Sequence, residues 1–152
     1  MIYLANWASP KLHGSGRKLG IMAKPRAWER GDGTVPVFVP GAAALEAYKA
    51  GNLGIAAYRE AFERAVLRRA SDGLSECGTL ARPAVLLENT ESSQVFDSGD
   101  VLLRDGDTLL CCCARLVAAQ GKCHRVWTAK LLRQAGWQVT LDGVLLETEC
   151  NF

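Results

Sequence analysis

A strand, helix, strand pattern in the last third of the chain constrains the fold more than any other feature. Thr108–Cys113 is a continuous apolar run after a turn signal, as expected of a strand buried on both faces of a parallel sheet. Cys123–Ala135 then carries apolar residues at helical spacing and stops at Gly136, and Trp137–Leu141 returns to a strand pattern. This order predicts a βαβ unit with the loop before its helix at the carboxyl edge of the sheet. We expect the helix to begin within one residue of Cys123.

Segments elsewhere in the chain supply further strands and helices. Ala42–Ala50 is rich in helix formers, and after a turn at Gly51–Gly54 a second helix carries the stripe Tyr58, Phe62, Val66, which we interpret as core. The remaining strand candidates are Ile2–Trp7, Leu19–Ala23, a short extended piece at Thr34–Val39, and Val144–Thr148 after an Asp142–Gly143 turn. Together these elements predict an α/β three-layer sandwich with a mainly parallel, Rossmann-like sheet and an antiparallel C-terminal edge hairpin.

Length and composition fit one domain. The chain has 152 residues, of which 49% are hydrophobic and 22% charged, and this balance excludes a disordered chain or a coiled coil. We therefore expect a single α/β domain over residues 1–152, with an insertion at 71–107. Within the insertion, Ala84–Leu87 and Val101–Leu103 have strand composition, but its polar residues and Asp105–Gly106 pair fit a hairpin and a loose insertion equally well.

The apolar runs and the cysteines of the sequence indicate the cellular compartment of the protein. No apolar run approaches the roughly 18 residues of a membrane span, and the N-terminus lacks a basic-then-apolar signal pattern. The six cysteines accompany a core-forming composition, and consecutive cysteines in a strand cannot pair easily because their side chains alternate between the two faces. We expect a cytoplasmic protein with free thiols and no membrane partner.

Positive charge is concentrated in two blocks of the sequence. Residues 1–30 and 108–141 have an excess of basic side chains, while residues 31–107 and 142–152 are acidic. If the fold brings the basic blocks together, they form an electropositive cleft that favours a small anionic ligand. The alternative is that these side chains are solvated on separate faces. A net charge of +2 and the acidic middle disfavour nucleic acid, because no long phosphate-tracking stripe results.

The tripeptide Cys123, His124, Arg125 is the best candidate site. A helix N-terminus attracts anions through its unpaired N–H groups, Arg125 offers a fork for phosphate or carboxylate oxygens, and His124 titrates near neutrality. The pKa of Cys123 would be lowered there, so its thiol would serve as a nucleophile. We expect Arg17 to lie on the same sheet edge, close enough to share one anion with Arg125. The alternative is that Cys123 caps the helix, His124 bonds a backbone carbonyl and Arg125 is solvated.

The N-terminal segment offers further ligand candidates. Asn6 and Trp7 end the first strand, and the glycine-rich loop that carries Arg17 and Lys18 follows, in our prediction at the same edge of the sheet. The backbone amides of such a loop wrap around an anion, and the Trp7 ring is suited to stack on a base. A tryptophan at this place is nevertheless more often part of the core. Arg26 completes the predicted ligand-binding set.

Known phosphate and metal motifs are absent. No Cys-x5-Arg loop, Gly-x4-Gly-Lys-Ser/Thr loop or complete dinucleotide fingerprint occurs, which disfavours a protein phosphatase, ATP hydrolysis and standard NAD binding. A metal site would use Cys111 and Cys113, which share a strand face, with Cys123 and His124 across the loop. The Cys-x2-Cys spacing of structural zinc sites is missing, however. We interpret Cys111–Cys113 as small core residues and predict no metal and no cofactor.

Three stretches carry a resemblance to a known family. They are YLANW followed by GSGR, VFVP followed by ALEAYKAGNLGIAAYREAF, and LLCCCA followed by GKCHRVWTAKLLRQAG. On these the chain resembles the YeaO-like family, Domain of Unknown Function four-eight-eight, whose most specific feature falls at Cys123, His124 and Arg125. The resemblance implies an α/β three-layer fold and no established reaction. The chain departs from the family in its triple cysteine, its longer Ala114–Lys122 loop and the insertion before Asp107.

Three functions are compatible with these features. The first is binding, for sensing or sequestration, of a small phosphate-bearing ligand, a nucleotide or nucleotide-derived signal, in the basic cleft. The second is a thiol-dependent enzyme acting on a nucleotide-like substrate, with Cys113 or Cys123 as nucleophile and His124 as its acid/base partner. The third, least favoured by the charge pattern, is nucleic-acid binding. A homo-oligomer is compatible with each of them.

Overall fold

A computed structural model of the chain describes residues 1–29, 31–69 and 103–146. The strands in these residues are β1 (Ile2–Asn6), β2 (Lys18–Gly20), β3 (Gly33–Thr34), β4 (Thr108–Cys111), β5 (Val139–Leu141) and β6 (Val144–Leu146). They form one sheet in the order β3-β2-β4-β1-β5-β6. Every neighbouring pair is parallel except β5 and β6, which form an antiparallel edge hairpin. The predicted α/β fold with a mainly parallel sheet and a C-terminal hairpin is confirmed.

The described residues form four α-helices, which are α1 (Ala42–Lys49), α2 (Ile55–Arg69), α3 (Arg115–Ala119) and α4 (His124–Gln134). Helix α4 lies against β1, β4 and β5, α2 packs on α4, and α1 packs on α2. The predicted turn after α1 is present at Gly51, whose φ of 78° is left-handed and suits glycine. The prediction of an unbroken loop over Ala114–Lys122 is wrong in part, because its leucine and alanine residues favour the short helix α3.

The extended piece predicted at Thr34–Val39 is shorter than expected. Strand β3 ends at Thr34, and Pro36–Phe38 forms a 3-10 turn. The Phe38 N–H donates to the Val35 carbonyl at 3.1 Å, and a proline has no N–H to contribute to a strand ladder. The chain therefore leaves the sheet soon after β3 and turns toward α1.

Strand β1 lies between the two strands of the predicted βαβ unit. Tyr3 pairs with Thr108 of β4 on one side and with Thr140 of β5 on the other. The unit is confirmed in its order and its parallel strands, but β4 and β5 are not neighbours. Because β4 and β5 both run parallel to β1, the carboxyl ends of all three strands meet at one edge of the sheet.

The core is densest where α4 meets α2 and the sheet. Trp127 is fully buried, with its ring 5.3 Å from the Tyr58 ring in an edge-on arrangement and 5.6 Å from the Phe62 ring. Val66 is also buried and completes the stripe that the sequence predicted as core. Burial of each such large apolar side chain contributes roughly 1.5–3 kcal/mol, so this packing holds the start of α4 firmly at the sheet edge.

Some predictions fall outside the described residues. Ala84–Leu87, most of the 71–107 insertion and the end of Val144–Thr148 are among them. The described end of the insertion is a turn at Asp105–Gly106 that leads into β4, preceded by the buried Leu103. No helix within the described ranges combines the length and the apolar character needed to cross a membrane.

Candidate functional site

The start of α4 lies at the carboxyl edge of the sheet, as predicted. Cys123 directly precedes the helix in an extended conformation, and its sulfur accepts a hydrogen bond from the Arg125 N–H at 3.4 Å. The prediction that the helix begins within one residue of Cys123 is therefore confirmed. Because the Arg125 N–H already donates to this sulfur, it is not free to bind an anion.

Three cysteines meet at this edge, and we call Cys111, Cys113 and Cys123 the thiol cluster. Their sulfurs all lie within 4.8 Å of one another, and the Cys111 and Cys123 sulfurs are 3.5 Å apart. Cys111 and Cys123 are buried and Cys113 is half-buried, whereas the intervening Cys112 is exposed. All four are free thiols. Cys113 is therefore the member of the thiol cluster that a ligand can reach.

Arg125 connects the thiol cluster to the end of β5. Its side chain is fully buried, and Nη1 donates to Cys111 Sγ at 2.9 Å and to the Cys113 carbonyl at 3.0 Å. Nη2 donates at 2.9 Å to the carboxylate of Asp142, a turn residue with a left-handed φ of 50°. These donors serve the protein's own groups, so the fork predicted for a ligand is occupied internally. The alternative of a solvated Arg125 is wrong, because its side chain is fully buried and the turn after β5 supplies its carboxylate partner.

His124 is buried against α2. Its Nε2 lies 2.7 Å from the Ile21 carbonyl oxygen, and its ring is 5.7 Å from the Phe62 ring. Burial lowers the pKa of His124, so the neutral ring donates its Nε2 proton to Ile21. The alternative in which His124 bonds a backbone carbonyl matches this geometry. With Nε2 donating, an acid/base role for His124 would fall to Nδ1, which the neutral ring leaves unprotonated.

The thiol cluster concentrates negative charge on Cys113. Hydrogen bonds from the Cys111 and Cys123 thiols lower the pKa of Cys113 to about 3, and the Arg125 cation also favours its thiolate. The pKa of Cys123 is raised, first by its hydrogen bonds with Cys111 and Cys113 and then by burial. The prediction of a lowered pKa for Cys123 is therefore wrong, because the thiolate belongs to its half-buried neighbour.

A cavity of about 240 Å³ opens beside Cys113. Its lining is mainly apolar and includes Tyr48 and Tyr58, whose stacked rings are 4.7 Å apart. Burial raises the pKa of Tyr58, so its phenol stays protonated. Other lining residues are Met22, Leu45, Val117, Cys123 and His124, together with three lysines, Lys24, Lys49 and Lys122. We call this space the lysine-lined cavity.

The lysines and tyrosines of this cavity were not singled out as ligand residues by the sequence. Two positional signals existed, since Lys24 follows β2 shortly after its carboxyl end and Lys122 directly precedes Cys123. Lys49 carried no such signal, because it ends α1 and the position of α1 depends on its packing against α2. Local pattern therefore identified the sheet edge with Cys113, Cys123 and His124, but not the lysines and tyrosines of the cavity.

Arg17 and Lys18 lie at the opposite edge of the sheet, which corrects our prediction. They stand at the amino end of β2, which runs parallel to β4 and β1. Arg17 donates from Nε and Nη2 to the buried carboxylate of Asp107 at 3.0 and 2.6 Å. The Lys18 Nζ donates to the Gly14 carbonyl. Arg17 and Arg125 therefore do not share one electropositive cleft.

The glycine-rich loop before β2 uses its amides internally. The Gly14 N–H donates to Thr108 Oγ1 at 2.8 Å, and the Gly16 N–H donates to the Gly106 carbonyl at 3.0 Å. A Cβ at Gly14 would collide with the ring of Tyr3, so glycine is needed there for close packing. The loop packs against the sheet instead of surrounding an anion.

Asn6, Trp7 and Arg26 meet around a separate hollow of about 130 Å³. The Asn6 Nδ2 donates to the Cys113 carbonyl at 3.5 Å, and Trp7 is partly buried against the core. Arg26 is 75% exposed, and its guanidinium lies over the Trp28 ring. The structure thus groups these three predicted ligand residues near the thiol cluster but outside the lysine-lined cavity.

Comparison with protein-family models, with curated proteins and with solved structures found no match for this chain. Assignment of a function therefore depends on the local geometry. Within the described ranges, that geometry brings a reachable thiol, a mainly apolar cavity and three lysines together at the carboxyl edge of the sheet.

Proposed function

We propose that this protein binds a small phosphate-bearing ligand in the lysine-lined cavity, for sensing or sequestration. The observation that carries the proposal is the position of Lys24, Lys49 and Lys122 around a mainly apolar cavity at the carboxyl edge of a parallel sheet. Ligands of open α/β sheets bind at this edge. Cations attract the phosphate, while apolar walls hold the uncharged part of the same ligand.

The size and charge of the cavity limit the ligand. Its volume of about 240 Å³ is below the roughly 300–1,000 Å³ of sites for drug-sized molecules, which favours a mononucleotide or a smaller compound over a dinucleotide. The Cys113 thiolate repels a phosphate, so the phosphate belongs at the lysines and the uncharged part near Tyr58. Lys24 is 3.6 Å from Glu46, so we assign the phosphate mainly to Lys49 and Lys122.

A second candidate function is a thiol-dependent reaction on a nucleotide-like substrate, and the position of Cys113 favours it. Cys113 lines the cavity, is half-buried and carries the thiolate of the thiol cluster. A thiolate already formed needs no separate base, so the nucleophile would be Cys113, without help from His124. We do not retain nucleic-acid binding, because Arg17 and Arg125 are paired with carboxylates at opposite edges.

We also propose that the chain is a divergent member of the YeaO-like family and that it is cytoplasmic. The family's Leu-Leu-Cys strand and Cys-His-Arg helix start coincide with β4 and with the beginning of α4, which supports membership. The cytoplasmic location rests on the sequence, whose six cysteines accompany a core-forming composition, as expected of reduced thiols.

Calorimetric titration with adenosine 5′-monophosphate, inorganic phosphate and adenosine tests the proposed binding. Lys49→Ala and Lys122→Ala should each weaken the binding of the monophosphate about 10- to 100-fold, because a charge-assisted contact contributes roughly 1.5–3 kcal/mol. Lys130→Ala removes an exposed lysine of α4 that does not line the cavity, so its affinity should match the wild type. No heat with any probe, or equal affinity in the three variants, contradicts the proposal.

Cys113→Ser separates the two candidate functions. If the protein only binds its ligand, this variant should keep the affinity for the monophosphate within about twofold of the wild type. If Cys113 is a nucleophile, incubation with the wild type should alter the ligand or leave a covalent adduct at Cys113, and Cys113→Ser should abolish both. Mass spectrometry of the protein and of the recovered ligand distinguishes these outcomes.

A further inference from the structure

The thiol cluster has the geometry of a metal site. Zn²⁺ binds cysteine sulfur at about 2.3 Å, so two sulfurs on one tetrahedral ion lie about 3.8 Å apart. The Cys111 and Cys123 sulfurs are 3.5 Å apart, and the whole cluster spans no more than 4.8 Å between sulfurs. A small adjustment of the half-buried Cys113 side chain would therefore complete a three-sulfur set around one ion.

Hydrogen bonds to the sulfurs supply a second, independent observation. Arg125 donates from Nη1 to Cys111 Sγ at 2.9 Å and from its backbone N–H to Cys123 Sγ at 3.4 Å. Metal-bound ligands are regularly oriented by such outer hydrogen bonds. Three thiolates and one divalent ion carry a net negative charge, which the Arg125 cation faces directly.

We propose that the thiol cluster binds one thiophilic metal ion of the Zn²⁺ type through the sulfurs of Cys111, Cys113 and Cys123. Structural zinc sites use four protein ligands, whereas three ligands leave a fourth position open. Cys113 and Cys123 line the lysine-lined cavity, so the open position faces that cavity. His124 is not part of this set, because the potential ligand atoms that converge here are the three cysteine sulfurs. This inference does not depend on the proposed phosphate ligand, since it uses none of the lysines.

The test uses the full chain with Cys77, Cys112 and Cys150 replaced by serine, so that the cysteines of the thiol cluster are the ones that remain. The reduced, metal-free protein is titrated with Co²⁺, followed by competition with Zn²⁺. We expect one ion per chain and a thiolate-to-cobalt charge-transfer absorption that Zn²⁺ abolishes. Absence of this band overturns the proposal.

Cys113→Ser in the same background is the decisive variant, because Cys113 is half-buried whereas Cys111 and Cys123 also belong to the core. Loss of an outer-shell partner weakens metal binding about 10- to 100-fold, so loss of a direct ligand should raise the dissociation constant more than about 100-fold. Cys112→Ser in the natural sequence is the control, and it should change the dissociation constant for the metal ion less than about twofold. An unchanged dissociation constant in a Cys113→Ser chain with a native circular dichroism spectrum overturns the proposal. If that chain is unfolded, Cys113→Ala is measured against the same criterion.

Discussion

Arg17 and Arg125 are each paired with an aspartate, but they lie at opposite edges of the sheet and stabilise different regions. Arg17 is one-fifth exposed and binds Asp107, whose carboxylate also accepts the Arg104 N–H at 2.8 Å. Arg125 is fully buried and joins Asp142 to the thiol cluster. The Arg17–Asp107 pair stabilises the loops at the amino edge of the sheet. The Arg125–Asp142 pair stabilises the carboxyl edge, where the lysine-lined cavity lies.

The comparison shows that a basic residue's place in the sequence does not reveal its edge of the sheet. A long loop separates Arg17 from the end of β1, and β2 begins directly after Arg17. This loop runs from the carboxyl edge of the sheet, where β1 ends, to the amino edge, where β2 begins. The functional difference follows from the neighbours of each arginine. Around Arg17 the Asp107 carboxylate accepts from the arginine side chain and from the backbone N–H groups of Arg17 and Arg104. Beside Arg125, by contrast, a reachable thiol and a cavity remain.

Arg125→Met should give the largest loss of stability, about 3–5 kcal/mol in the free energy of unfolding. The substitution leaves the Asp142 carboxylate without its cation and removes the donor to Cys111. Urea denaturation measures the loss. Lys130→Met, at an exposed position of the same helix, is the control and should stay within about 0.5 kcal/mol of the wild type.

A double variant sharpens this prediction. Adding Asp142→Asn to Arg125→Met removes the unpaired carboxylate and should restore part of the lost stability. If Arg125→Met costs less than about 1 kcal/mol, or if the second substitution lowers stability further, the two side chains do not act as a buried pair.

Arg17→Met should cost less, about 1–3 kcal/mol. Asp107 would keep its hydrogen bonds from the backbone N–H groups of residue 17 and Arg104, and water reaches the partly exposed position of Arg17. Because this pair lies at the amino edge, the affinity for adenosine 5′-monophosphate should not change. A loss of stability equal to that of Arg125→Met, or weakened binding of the monophosphate, would contradict the proposed difference between the edges.

Alkylation should distinguish the neighbours Cys112 and Cys113 in the metal-free protein. The pKa of Cys113 is lowered to about 3, so its thiolate predominates and its rate with iodoacetamide should be nearly constant from pH 6 to pH 8. Partial loss of hydration raises the pKa of the otherwise exposed Cys112, so its rate should rise about tenfold per pH unit over the same interval. Peptide mapping by mass spectrometry reports each site, and parallel pH profiles for the two cysteines would contradict the assigned thiolate.

Local sequence patterns were enough to predict several structural elements. The strand predicted at Thr108–Cys113 is present and buried on both faces, although it ends at Cys111, and α4 begins directly after Cys123. Tyr58, Phe62 and Val66 are core, as predicted. Each of these predictions depends on side-chain periodicity, or on a glycine that ends a helix, within a dozen or so residues. The Thr34–Val39 strand and the unbroken Ala114–Lys122 loop were wrong because turn and helix propensities compete closely in such short segments.

The sequence by itself therefore determined the class of fold and the residue at which α4 starts, because periodic burial is encoded locally. Tertiary structure decided that β1 separates β4 from β5, that Arg17 and Arg125 lie at opposite edges, and that Asp142 neutralises Arg125. It also decided which lysines surround the cavity and that three cysteine sulfurs converge. These features depend on which strands become neighbours and on packing between residues distant in the chain, and the side-chain periodicity of one segment specifies neither.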